Sequence, residues 1–140
     1  MKLKGIIFDL DGVIVSTDEL HYKAWKRMAD DEGIYFDRKI NDRLRGVSRM
    51  QSLEIILERA AREYSSEEKT SLAEKKNGLY RELLNTLTPR DRLNGVTETL
   101  DNLRKRGFLL AIGSSSRNTP LILEKIGYGD YLTRYRTETI

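Results

Sequence analysis

The sequence predicts an α/β fold: a Rossmann-like core of parallel strands, incomplete in the residues present, with an all-helical domain inserted after the first strand. Three observations carry this. A short apolar run, Gly5-Ile6-Ile7-Phe8, ends in Asp9-Leu10-Asp11-Gly12. A second run, Phe108 to Ile112, leads into Gly113-Ser114-Ser115-Ser116. Between them lies a long stretch with helical periodicity and repeated capping signals.

The first run is short and rich in β-branched residues, the pattern of a strand buried on both faces. Ser16 and Glu19 fit a capping box that opens a helix running to about Glu32, stopped by Gly33. A short helix is expected from Asp37 to Leu44, before the turn at Gly46. Ser48 with Gln51 signals a helix to about Tyr64, and Ser65 with Glu68 another to about Leu84. Thr88-Pro89 marks the return from the insert. Val96 to Arg106 is amphipathic and closes at Gly107, and Pro120 is suited to the first turn of a last helix. The domain division that follows is a core of residues 1–15 and 89–140 and a helical insert of residues 16–88. Strand, insert, helix and parallel strand make a right-handed crossover.

Composition narrows the function. The chain has 140 residues, enough for one domain or a small domain with an insertion. With no cysteine and one histidine, it has no thiolate site, no cysteine nucleophile and no multi-histidine metal centre. Its net charge of +3 comes from Lys and Arg interspersed with Asp and Glu, a solvated surface rather than a nucleic-acid stripe. The first apolar run is too short and too acidic for a signal peptide or membrane span, so no membrane partner and a cytoplasmic location are expected.

The chemistry concentrates at strand ends, where open parallel sheets leave a crevice. Asp9 and Asp11 place two carboxylates there with no basic neighbour in sequence. That is costly unless a cation lies between them or one is protonated. A hard metal, Mg2+, is the economical cofactor, with one carboxylate also doing chemistry. Ser114 opens a small-residue turn into a helix, where a hydroxyl and free backbone N–H groups can cradle phosphate. A plain flexible loop with a helix cap is the alternative.

The strand ending in Asp9-Leu10-Asp11-Gly12-Val13, followed by a helical insert and then a strand ending in Ser114, resembles the haloacid dehalogenase superfamily of phosphotransferases. Within it, most of residues 1 to about 131 are similar to the β-phosphoglucomutase family. Glu19-Leu20-His21 with Ala24-Trp25 looks like that family's first cap helix. Leu44-Arg45-Gly46-Val47-Ser48-Arg49 with Ser52 looks like its substrate loop, and Leu72 to Asn77 like its later cap helix. Ser114-Ser115-Ser116-Arg117-Asn118 matches its phosphate loop.

The resemblance implies roles. Asp9 is the nucleophile that becomes an aspartyl phosphate, and Asp11 the general acid and base. One oxygen of Asp9 and the main-chain carbonyl of Asp11 ligate Mg2+. Thr17 and His21 position Asp11, and Ser114 holds the transferring phosphoryl. Arg49 clamps the other phosphate, with Trp25, Gly46, Val47, Ser48, Ser52, Lys76, Ser115, Ser116 and Asn118 around the sugar phosphate. The implied reaction interconverts β-glucose 1-phosphate and glucose 6-phosphate; a phosphatase of small phosphorylated metabolites is the alternative, and a catalytically dead chain a third. Without the resemblance, His21 reads as a surface helix residue and Lys76 as one of many exposed lysines. Trp25 fits packing between helices as well as a pocket wall. Arg49 sits in a helix's first turn, a poor place for a cation, which favours a functional reason for it.

Two departures stand out. Ser16 replaces the Asp that the family commonly has before its hinge Thr, a small change because Ser also caps helices. The lysine of the third superfamily motif and the acidic pair of the fourth have no counterpart. The basic, Thr-rich residues after Tyr131 read as a shifted or prematurely ended frame. A core on the order of 65 residues is marginal alone. With two strands it exposes an apolar edge that invites self-association, whereas a complete core is expected to be a monomer. Two carboxylates hold Mg2+ poorly, so weak or no turnover is expected.

Overall fold

The computed structural model describes residues 2, 4–129 and 133–136. In chain order the elements are β1 (Gly5–Phe8), α1 (Asp18–Asp31), α2 (Arg38–Asp42), α3 (Arg49–Leu57) and α4 (Ser66–Leu84). They continue with α5 (Val96–Lys105), β2 (Leu109–Ser114), α6 (Thr119–Lys125) and β3 (Thr133–Arg136). The chain divides into two compact units, an α/β unit of residues 1–17 and 84–140 and a helical unit of residues 18–83.

In the α/β unit the three strands form one parallel sheet in the order β1-β2-β3. Gly5 pairs with Leu109 and Phe8 with Ile112, so both β1 and β2 deliver their carboxyl ends to the same edge of the sheet. Gly113 permits this pairing, since a Cβ there would lie 3.0 Å from Ile7 Cγ2. Helix α5 packs on β2. Leu100, Leu110, Ala111, Ile112, Leu123 and Ile126 are buried, together with Ile14 and Val15 from the segment after β1. That segment curls tightly. Ile14 N–H donates to the Leu10 carbonyl at 2.9 Å and Gly12 N–H to the Val15 carbonyl at 2.7 Å. Gly12 has φ +82°, a left-handed turn that suits glycine.

In this unit two expectations are corrected. β1 is not buried on both faces: Ile7 is 66% exposed, since no helix among the described residues packs closely on β1, whereas α5 covers β2. The sheet also has three strands rather than two. Thr133-Arg134-Tyr135-Arg136 pairs with Ala111 to Ser114, consistent with its alternation of strand-favouring and basic residues.

In the helical unit, α1 starts at Asp18, so Thr17 rather than Ser16 directly precedes its first turn. Asp37 caps α2 by accepting from Ile40 N–H at 2.8 Å. Ser48 caps α3 by accepting from Gln51 N–H at 3.2 Å. The Ser65–Glu68 box is reciprocal, with both bonds at 3.1 Å. Helix α3 stops at Leu57, well short of Tyr64. Its end tightens into i to i−3 bonds, and the following residues are drawn elsewhere: Tyr64 donates to Glu32 at 3.1 Å and Arg62 reaches Glu68 at 2.6 Å. Trp25, Met28, Phe36, Ile40, Leu53, Ile56 and Leu72 build one apolar cluster. No helix among the described residues is long and apolar enough to cross a membrane.

Ile112, fully buried in β2, tests the sheet packing. Ile112→Ala should cost about 2–5 kcal/mol in urea unfolding, whereas Ile7→Thr should cost less than about 1 kcal/mol.

Candidate functional site

In the α/β unit, Asp9 directly follows β1, and extending the pairing by one residue sets it against Gly113, next to Ser114. Asp9 is exposed and its Oδ1 accepts from Leu10 N–H at 2.8 Å. Asp11 is held differently. Its Oδ1 accepts from Thr17 N–H at 2.8 Å and its Oδ2 from Thr17 Oγ1 at 3.2 Å, and Thr17 is buried. A carboxylate gripped by two donors from one residue is oriented rather than free to swing. Thr17 therefore meets Asp11 directly.

The Ser114 turn is also internally bonded. Ser114 Oγ accepts from Ser116 N–H and Ser116 Oγ from Asn118 N–H, both at 3.2 Å; Thr119 Oγ1 donates to the Ser116 carbonyl at 2.8 Å. Ser114 is buried at the end of β2 and Asn118 at the start of α6, while Ser115 is exposed. As an acceptor from Ser116, Ser114 keeps its own hydroxyl proton to donate to an anion.

Asp9 and Asp11 offer only hard oxygen donors, the chemistry that Mg2+ takes, so they fit this ion as two of its ligands. Among the described residues no group of three or more acidic, His or Cys side chains gathers to hold a metal.

In the helical unit the structure brings His21, Trp25 and Lys76 together. Lys76 is only 4% exposed, so it is not one of the surface lysines that its sequence context suggests. Its Nζ lies 2.8 Å from His21 Nδ1 and 4.8 Å from the ring centres of both Trp25 and Tyr80. His21 stacks on Tyr80, with centroids 4.0 Å apart and planes 13° from parallel. Trp25 thus packs in the apolar cluster and also walls the lysine. Arg49 is exposed at the start of α3 and reaches Asn77 Oδ1 at 3.4 Å.

No carboxylate pairs with Lys76 among the described residues. Burial, and then the nearby charge of Arg49, lower its pKa from 10.5 to about 7. Burial, followed by Lys76 and Arg49, lowers His21 from 6.5 to about 3, so its imidazole is neutral. The aromatic faces of Trp25 and Tyr80 offset only part of what a carboxylate would give, and the net shift stays downward.

The remaining candidates have plainer places. Gly46, Val47 and Ser48 form the turn between α2 and α3, and Ser48 spends its hydroxyl oxygen on the α3 cap. Ser52 lies one turn further along α3 and is buried. Tyr80 was not marked by the sequence reading. The available signal is its i+4 spacing from Lys76, which puts both on one face of α4.

These strand ends and the inserted helices define a Rossmann-like α/β fold with a helical insert, and the comparisons identify its family. The model of the haloacid dehalogenase-like hydrolases matches residues 6–135, and the chain belongs to that family. The match runs past Tyr131, so the family pattern extends further along the tail than its composition suggests. The chain is 44% identical over 130 residues to the β-phosphoglucomutase of Bacillus subtilis, covering 91% of this chain and 58% of that protein. It is 30% identical over 115 residues to a phosphorylated carbohydrates phosphatase of Thermotoga maritima, covering 81% and 50%. A crystal structure of β-phosphoglucomutase from Clostridium difficile superposes with a TM-score of 0.79 at 37% identity, over 95% of this chain and 60% of that one. The chain thus spans little more than half the length of these relatives.

Lys76 sets a pH test. Between about pH 7 and its ordinary value of 10.5, the unfolded chain holds a proton that folded Lys76 lacks, so stability rises with pH across that window. From pH 7 to pH 9 the unfolding free energy should climb by at most about 1.4 kcal/mol per pH unit. Lys76→Met should flatten the slope; parallel slopes in urea titrations would mean that Lys76 stays charged when folded.

Proposed function

We propose that this protein transfers phosphoryl groups on sugars, interconverting β-glucose 1-phosphate and glucose 6-phosphate. The observation that carries this reading is the carboxylate pair after β1 beside the Ser114 turn. The charged, aromatic-walled cluster in the helical unit and the likeness to two β-phosphoglucomutases support it.

The proposed chemistry divides between the two carboxylates. Asp9, whose Oδ2 is left over from the bond to Leu10, attacks phosphorus in line and becomes an aspartyl phosphate. Asp11 protonates the departing sugar oxygen and later removes a proton from the sugar hydroxyl that accepts the phosphoryl. Thr17 fixes which way the Asp11 carboxylate points, through N–H and hydroxyl together. Such positioning matters because small errors in approach cost rate steeply. The Ser114 hydroxyl, whose proton is not spent on the turn, holds the transferring phosphoryl. Arg49 takes the second phosphate of the bis-phosphorylated intermediate, and Lys76 and Asn118 the sugar or phosphate oxygens. Mg2+, held by Asp9 and the Asp11 carbonyl, would supply charge neutralisation for the phosphoryl group.

A second reading, hydrolysis of phosphorylated carbohydrates, is favoured by the likeness to the Thermotoga maritima phosphatase. The test follows both products in one assay. With β-glucose 1-phosphate, Mg2+ and a trace of the bisphosphate, glucose 6-phosphate should form slowly. Asp9→Asn should reduce it by at least about three orders of magnitude. Thr17→Val, which removes one of two bonds to Asp11, should lower kcat by about tenfold or more with KM little changed. Steady release of inorganic phosphate without isomer conversion would select the phosphatase. Neither product would sink phosphotransfer by this chain.

A further inference from the structure

Lys76 has the setting of a reactive amine rather than of a binding charge alone. Amines become nucleophiles when desolvated in an apolar pocket or set beside another cation, because either condition leaves them unprotonated near neutral pH. Lys76 has both. It is 4% exposed, and Trp25 and Tyr80 flank its Nζ at 4.8 Å each. The groups that contact its Nζ among the described residues carry no negative charge: neutral His21 and Trp25 from α1 and Tyr80 from α4, with the positive charge of Arg49 at the start of α3 also acting on it. Arg49 presses on the proton affinity of Lys76 and is itself exposed, with a guanidinium suited to phosphate.

We propose that Lys76 forms a reversible imine with a phosphorylated aldehyde, whose phosphate is taken by Arg49. The lone pair of Nζ forms the C–N bond as the carbonyl π pair moves to oxygen. Both protons of the amine then pass to that oxygen, which leaves as water, and the C=N bond closes. No oxidant or reductant is needed. Water reverses the step. Two ligand sources share this chemistry, the open-chain form of an aldose phosphate and a phosphorylated aromatic aldehyde. The adduct occupies a residue that the functional reading gives to the sugar, so it inhibits whatever turnover that site supports. The proposal uses the helical unit alone and stands whether the chain is a mutase, a phosphatase or neither.

The test reads covalent adducts, not turnover. The full chain is incubated at pH 7.5 with pyridoxal 5′-phosphate or with glyceraldehyde 3-phosphate, reduced with borohydride, digested and mapped by mass spectrometry. Lys76 should carry the dominant adduct, ahead of every exposed lysine. Pyridoxal without the phosphate, and the Arg49→Ala chain with the phosphorylated probe, should each label Lys76 about tenfold less below saturation. Adduct at Lys76 from both probes, or from the aldose phosphate alone, supports the sugar source; adduct from pyridoxal phosphate alone supports the aromatic one. Labelling spread over exposed lysines with Lys76 unmodified overturns the proposal, as does labelling of Lys76 that ignores both the phosphate and Arg49. The wild-type map decides this even if a variant fails to fold.

Discussion

The helical unit is organised around a buried lysine that has no carboxylate. Taking an ammonium out of water costs several kcal/mol, and proteins commonly meet that cost with a counter-charge. Here the alternatives are aromatic faces and a neutral imidazole. Tyr80 serves twice, offering its face to Lys76 and stacking on His21, so one side chain orients both members of the pair. Trp25 does the same for the lysine while belonging to the apolar cluster. Were a carboxylate present, Lys76 would be locked in an ion pair and lost to any ligand. Its absence leaves the amine available, and that is the feature from which the chemistry of this unit follows.

The α/β unit works by the opposite device, in which charge is exposed and geometry is fixed by short-range hydrogen bonds. Asp9 and Asp11 stand in solvent immediately after a strand, so their charges cost little. Their settings differ through their partners. Asp9 engages one backbone N–H and Asp11 engages both donors of buried Thr17. The glycine turn at Gly12 sends the chain back so that Thr17 can reach Asp11 from six positions on. Carboxylates of the same type can thus be given separate tasks by environment alone.

Much of this was legible in the sequence, and the failures have identifiable causes. Capping chemistry is local, so Ser48 and the Ser65–Glu68 pair announced their helices correctly. The Asp9 and Ser114 strand ends were legible because apolar runs punctuated by Asp, Gly and Ser have few other readings. The end of α3 was not, since Tyr64 and Arg62 are pulled from the helix by Glu32 and Glu68, partners that helical periodicity does not reveal. β3 was hidden because its pairing with β2 is a tertiary fact and its composition is basic. The exposure of Ile7 is likewise a tertiary fact, since composition cannot say which face of a strand a helix covers. Lys76 and Tyr80 illustrate the limit most sharply. Nothing local distinguishes Lys76 from Lys75 beside it, yet Lys75 pairs with Asp31 at 3.0 Å while Lys76 turns into the unit.

That contrast bears on where the molecule can tolerate a costly group. A buried amine without a carboxylate is tolerated only where the surrounding packing is otherwise sound. The helical unit meets that condition: its apolar cluster is contiguous from α1 through α4, all three capped helix starts are satisfied, and among the described residues no buried side-chain polar atom lacks a partner. The α/β unit has less to spare, with Ile7 and Leu109 both largely exposed on its strands. Its candidate groups are accordingly solvated carboxylates and a self-bonded serine turn. The distribution of chemistry between the units therefore follows their packing, with desolvated reactivity placed where the core is closed and solvated reactivity where the sheet is open.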